Sequence, residues 1–118
     1  MGSRMDKLSR REALRRYKET APDVGVFAVR CTASGEAWVG ASKNLGQQQN
    51  GIWFALRTGG HPNRALQAAW RAHGEAAFVF EPVQVLDVKD LSPLAVDLML
   101  KDAEAGWRER LGAAKVAG

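Results

Sequence analysis

The chain has 118 residues with a formal net charge of +4, and its 46% apolar and 25% charged residues are ordinary for one globular domain. No apolar run approaches the roughly 20 residues of a membrane-spanning helix, and we expect no signal peptide because no apolar stretch follows the polar N-terminus. The single cysteine excludes an internal disulfide and a site of several thiolates, which makes a reducing, cytoplasmic location the expectation.

The N-terminal segment is basic. Residues 1–4 are expected to be an expression remnant, and residues 5–22 are predicted to form a basic helix with a thin apolar stripe. Between Arg4 and Lys18, seven residues are basic and two are acidic. Such a stretch suits the phosphate backbone of nucleic acid, although a solvated helix face is the structural alternative. The candidate nucleic-acid contacts here are Arg10, Arg11, Arg15 and Arg16.

Alternating apolar residues then predict a hairpin of two strands, over 24–32 and 36–41. Two helices follow: Asn44 is the expected N-cap of the first, over 45–58, and Pro62 lies in the first turn of the second, over 62–73.

The second half of the chain predicts one strand and one long helix. The strand over 78–86 contains Pro82, which cannot donate a ladder hydrogen bond and therefore indicates a sheet edge or a bulge. Ser92 is the expected N-cap of a helix that continues to residue 111. The predicted fold is α+β, a three-stranded antiparallel sheet flanked by helices, with an extra N-terminal helix. The domain is placed at 23–112, and residues 113–118 are taken as a tail.

Two triplets, Gly25-Val26-Phe27 and Trp38-Val39-Gly40, lie on the predicted hairpin. A loop with Ser42 and Asn44 follows the second triplet, and Glu104 precedes Trp107 by three residues on the last helix. In this order and spacing, residues 24–111 resemble a GIY-YIG nuclease domain. The resemblance implies hydrolysis of phosphodiester bonds by an endonuclease, with nucleic acid, DNA first, as the partner.

The resemblance also implies roles that this chain fills only in part. In that family a triplet tyrosine helps to activate water, an arginine steadies the phosphate, and a glutamate holds one divalent metal, usually Mg²⁺. Phe27 and Trp38 stand at the tyrosine positions, Gln48 at the arginine position, and Glu104 at the metal position. Phe27 cannot take a proton and Gln48 carries no charge. Because the loss of one stabilising donor can lower the rate roughly 10²–10³-fold, we expect weak or lost cleavage.

Several of these residues have structural alternatives. Glu104 could lie at the edge of an apolar helix face or pair with Arg108 instead of binding metal. Trp38 could stack on a base or belong to the core. The other candidate phosphate contacts could be solvated surface residues or, for the histidine, a helix start; they are Lys43, His61, Arg64, Arg57 and Arg71.

Three functions follow from these interpretations. The first is a nucleic-acid-binding domain of this fold with cleavage weak or lost. The second is an active magnesium-dependent DNA endonuclease with a rearranged site, and the third is a non-enzymatic protein-interaction module. No membrane partner is expected.

Overall fold

A computed structural model describes residues 22–116, and its elements follow the predicted order. The predicted N-terminal helix, with Arg10, Arg11, Arg15 and Arg16, lies outside the described residues. Within residues 22–116 no helix is long and apolar enough to cross a membrane. The elements are β1 (Gly25–Cys31), β2 (Ala37–Ser42), α1 (Leu45–Thr58), α2 (Arg64–His73), a 3₁₀ turn (Glu75–Ala77), β3 (Phe78–Val85), α3 (Pro93–Leu111) and β4 (Ala114–Lys115).

The α+β class is confirmed, but the sheet has four strands in the order β3-β1-β2-β4, where three were predicted. β1 pairs antiparallel with β2 and with β3, as expected for the hairpin and its neighbour. The additional strand, β4, pairs parallel with β2, with Lys115 opposite Val39. It falls in the segment predicted as a tail, because a strand of two residues is too short to leave a periodic pattern in the sequence.

Pro82 lies both at a sheet edge and at a bulge, so both interpretations of this residue are confirmed. β3 is the edge strand next to β1. Phe27 is opposite Pro82 while Val26 is opposite Gln84, so that Val83 is the extra residue of β3. Proline has no N–H to give to the ladder, which is why this position suits an edge and an irregular register.

The alternation of β1 and β2 side chains divides the core into two layers. On one face of the sheet Phe27, Val29 and Trp38 pack with residues of α1 and α2. On the other face Val26 and Val39 pack against α3, through Ala103, Trp107 and Leu111. The site described below lies where residues from both layers meet.

The helix starts are set by side-chain caps. Asn44 accepts from the Gln47 N–H at 3.2 Å, and Ser92 accepts from the Ala95 N–H at 3.1 Å, which confirms both predicted caps. The second helix begins at Arg64 instead of at residue 62, because the Asn63 side chain accepts from the Leu66 N–H at 3.1 Å. Pro62 therefore precedes the helix, and His61 is not its cap.

Candidate active site

The two triplet glycines permit close packing at positions where a side chain would collide. A Cβ atom on Gly25 would clash with the carbonyl oxygen of Gln84, and one on Gly40 would lie 2.5 Å from the Phe27 ring. The Phe27 ring thus rests against the backbone of Gly40, and it stacks on Phe80 with ring centroids 4.9 Å apart. This packing fixes the ring of Phe27 at the wall of a cavity.

That cavity has a volume of about 230 Å³, and we call it the Glu104 cavity. Residues from both layers of the fold line it: Phe27 from β1, Gln48 and Ile52 from α1, Glu104 from α3, and Lys115 from β4. The other lining residues are Gly40, Ala41, His61, Pro62 and Val116. Three of the four residues predicted as the catalytic set, Phe27, Gln48 and Glu104, therefore line one cavity.

Glu104 is half-buried on α3 and faces this cavity. The ion pairs within residues 22–116 are Arg30–Glu81, Lys43–Asp97 and Arg57–Glu75, so Glu104 does not form the alternative pair with Arg108 there. No group of three His, Cys, Asp or Glu side chains comes together in the same range. A single carboxylate fits Mg²⁺, which keeps several waters and takes further oxygen ligands from substrate phosphates.

Trp38, the fourth residue of the predicted catalytic set, does not line the cavity. Its side chain is buried in the layer under α2, with 2% of its surface exposed, and it stacks on Phe78 with centroids 6.5 Å apart. A ring without an open face cannot stack on a base, so the core alternative describes Trp38.

His61 lines the cavity as a neutral imidazole. The Asn63 backbone N–H donates to its Nδ1 at 3.0 Å, which leaves the proton on Nε2. Burial lowers the pKa of His61 below its ordinary value of 6.5, which further favours the neutral ring at pH 7. His61 can therefore donate a hydrogen bond to a ligand but contributes no charge.

Two of the proposed phosphate contacts are engaged elsewhere. Lys43 forms an ion pair with Asp97 at 2.7 Å and does not line the cavity. Arg57 binds Glu75 through two hydrogen bonds of 2.7 and 2.9 Å, an arrangement that holds the pKa of Glu75 below its usual range. These two ion pairs join surface elements of the fold. The charges of Lys43 and Arg57 are therefore each paired with a carboxylate.

A larger groove of about 710 Å³ runs along α2, and we call it the α2 groove. Arg64 and Arg71 lie along it, and His61 borders both this groove and the Glu104 cavity. The remaining lining residues are Gly59, Gln67, Ala68 and Ala72, so no acidic residue of the described chain lines the groove. Arg64 thus lies at a basic concave surface, next to the Glu104 cavity and not inside it, and its contact with phosphate stays a prediction.

Lys115 is the site residue that the sequence interpretation missed. It lines the Glu104 cavity from β4, which lies in the segment that the sequence predicts as a tail. The sequence carries one weak signal for this strand: after Gly112, the C-cap of the last helix, the polar Lys115 is followed by the apolar Val116, which the structure buries in the core.

No protein-family model and no curated protein match the chain. Two solved structures are similar to it. The catalytic domain of homing endonuclease I-TevI has a TM-score of 0.64 at 21% identity, over 80% of this chain and 94% of that chain. A mutant of the catalytic domain of intron endonuclease I-TevI has a TM-score of 0.65 at 17% identity, over 76% and 84%. At these identities the similarity establishes the fold, and this chain therefore has a GIY-YIG-like fold.

Proposed function

We propose that this chain is a GIY-YIG-like domain that binds nucleic acid, DNA in the first place, and cleaves phosphodiester bonds weakly or not at all. The observation that carries this proposal is that Glu104 lies in one cavity with Phe27 and Gln48. An acidic group remains at the centre, while the positions beside it hold an apolar ring and an uncharged amide. The cavity thus keeps a ligand for metal but lacks the usual groups for deprotonation and for charge neutralisation.

Binding is supported by the α2 groove. Arg64 and Arg71 line a concave surface without an acidic neighbour among its lining residues. A guanidinium group binds phosphate oxygens with two parallel hydrogen bonds and stays charged at every relevant pH. Since His61 joins the groove to the Glu104 cavity, a nucleic-acid backbone lying in the groove would reach the cavity.

The chemistry of the cavity supports weak or absent cleavage. Glu104 would hold Mg²⁺, which when bound polarises a phosphoryl oxygen and offsets its charge. Gln48 can donate a hydrogen bond to a phosphate oxygen, and neutral His61 can donate from Nε2. Phe27 can neither accept nor relay the proton of an attacking water. Gln48 and His61 can therefore orient a phosphate. Neither of them, nor Phe27, activates the nucleophile or adds positive charge.

A second candidate is an active magnesium-dependent endonuclease with a rearranged site, and the presence of His61 and Glu104 in one cavity favours it. A third, the protein-interaction module, is favoured by exposed apolar residues on α3: Leu94, Leu98 and Met99. A contiguous patch of exposed apolar side chains is one mark of a protein-binding surface.

Two assays on the same protein separate these candidates. Binding of duplex DNA, single-stranded DNA and RNA of one sequence is measured over a salt series. We expect affinity to fall steeply with salt, with a slope of about −0.9 per phosphate neutralised on duplex DNA. Nicking of supercoiled plasmid with Mg²⁺ or Mn²⁺ should be faint or absent.

Each of the other outcomes would favour a different candidate function. Strong nicking that disappears in Glu104→Ala would establish the second candidate in place of the first. Absence of binding to every nucleic acid at low salt would overturn both and leave the interaction module. Glu109→Ala, which changes an exposed acid of α3 outside both cavities, is the matched control for Glu104→Ala.

A further inference from the structure

We propose that Lys115 supplies the phosphate-binding positive charge of the Glu104 cavity, in place of the charge that Gln48 lacks. This inference rests on the proposed function. Among the described residues that line the cavity, Glu104 is acidic, His61 is held neutral, and Lys115 is the one cation. Among the described lining residues, a phosphate that enters the cavity would therefore meet a full positive charge only at Lys115.

The backbone around Lys115 is held in place from two sides. The Asn63 side-chain amide donates to the carbonyl oxygen of Lys115 at 2.8 Å and to that of Val116 at 3.1 Å. On the other side, the Val116 N–H donates to the Val39 carbonyl oxygen at 2.9 Å. Val116 itself is buried in the core under α1 and α2. These contacts, and not strand propensity, fix a two-residue strand at the cavity wall.

The Lys115 side chain is exposed, and the ion pairs within residues 22–116 join other residues. Among the described residues, its ammonium group therefore has no ion-pair partner, in contrast to Lys43, which is bound to Asp97. An ammonium group is a compact charge with three donors, which binds a phosphate oxygen without the geometric demands of a guanidinium. Phosphate contacts of this kind give affinity for the backbone and no preference for base sequence.

The test measures duplex DNA binding over a KCl series without divalent metal, for wild type, Lys115→Ala, Lys115→Arg and Lys89→Ala. Lys89 is an exposed lysine that lines neither cavity, so it controls for the loss of net charge. We expect Lys115→Ala to weaken binding roughly three- to tenfold and to reduce the salt slope by about 0.9. Lys115→Arg should keep the wild-type slope, and Lys89→Ala should change neither quantity. Equal urea unfolding midpoints would show that the variants are folded.

Two results would overturn the role of Lys115: Lys115→Ala binding like wild type, or Lys89→Ala losing as much affinity as Lys115→Ala. Both presuppose that wild type binds DNA. Failure of wild type to bind any nucleic acid would instead overturn the proposed function, before any substitution is compared.

Discussion

The Glu104 cavity and the α2 groove share His61 but differ in what they contain. The cavity combines an acid, a neutral amide and an apolar ring with one lysine. The groove carries two arginines and no acid among its described lining residues. In the cavity, Phe27 and Gln48 stand where the resemblance implies a tyrosine and an arginine, whereas the groove carries guanidinium charge suited to a phosphate backbone. From this contrast we propose that nucleic-acid binding and cleavage are separable in this domain, and each prediction below tests one of the two regions.

Asn63 connects the two regions, and its loss should have the largest effect on stability. Its side chain caps the helix that carries the groove and donates to the strand that carries Lys115. Asn63→Ala removes the cap and leaves two carbonyl groups without this donor, which should lower the free energy of unfolding by about 2–4 kcal/mol in urea titrations.

Asn44→Ala is the matched control, because Asn44 caps α1 without bridging to another element in the described structure. It should cost about 1 kcal/mol. Equal losses in the two variants would mean that β4 does not depend on Asn63.

Changes in the groove should affect binding next most strongly. Arg64→Ala together with Arg71→Ala should weaken DNA binding about tenfold and reduce the size of the salt slope by nearly 2, because each substitution would remove one phosphate contact. Arg57→Ala removes an arginine that is bound to Glu75 and should leave the slope unchanged. If loss of Arg57 lowers the affinity and the salt slope as much as loss of Arg64 or Arg71, net charge governs binding and the groove is not the binding site.

Removal of the acid should have a smaller effect, of opposite sign. Without divalent metal, the charge of Glu104 repels a phosphate in the cavity, so Glu104→Gln should tighten DNA binding by about two- to fivefold. At constant ionic strength, added Mg²⁺ should tighten binding by wild type relative to binding by Glu104→Gln. Titrations with and without Mg²⁺ measure both effects, and binding by Glu104→Gln equal to that of wild type without metal would place the phosphate away from this carboxylate.

The smallest effect concerns pH. Burial lowers the pKa of folded His61 below 6.5, so the unfolded chain takes up this proton first as the pH falls. The stability that depends on neutral His61 is complete above pH 6.5 and declines as the pH falls from there to the folded pKa. Urea midpoints between about pH 7.5 and 5.5 should show this decline, and His61→Gln should reduce it. His73→Gln, at the exposed end of α2, should leave it in place.

Local signals made most of the fold predictable. The caps Asn44 and Ser92 and the irregular strand at Pro82 each depend on a few neighbouring residues, and all three are present. The start of α2 was misplaced because Pro62 and Asn63 both suit a helix start, and the Asn63 hydrogen bond to Leu66 decides between them.

Contacts between distant segments were not predictable in the same way. β4 exists through Asn63 and Val39, which lie far from it in the chain. Its lysine was missed for that reason. The burial of Trp38 depends on which face of the sheet α1 and α2 cover, and alternation alone does not identify that face.

We propose that Phe27, Gln48 and Glu104, which line one cavity, act as one catalytic site, and plasmid nicking by Phe27→Tyr combined with Gln48→Arg tests this most directly. These changes return a phenol and a guanidinium to the wall of the Glu104 cavity. In Mg²⁺ the double variant should nick at least roughly 10²-fold faster than wild type, and a further Glu104→Gln change should abolish the gain. If the folded, DNA-binding double variant nicks no faster than wild type, or if its activity persists without Glu104, these three residues do not act as one catalytic site.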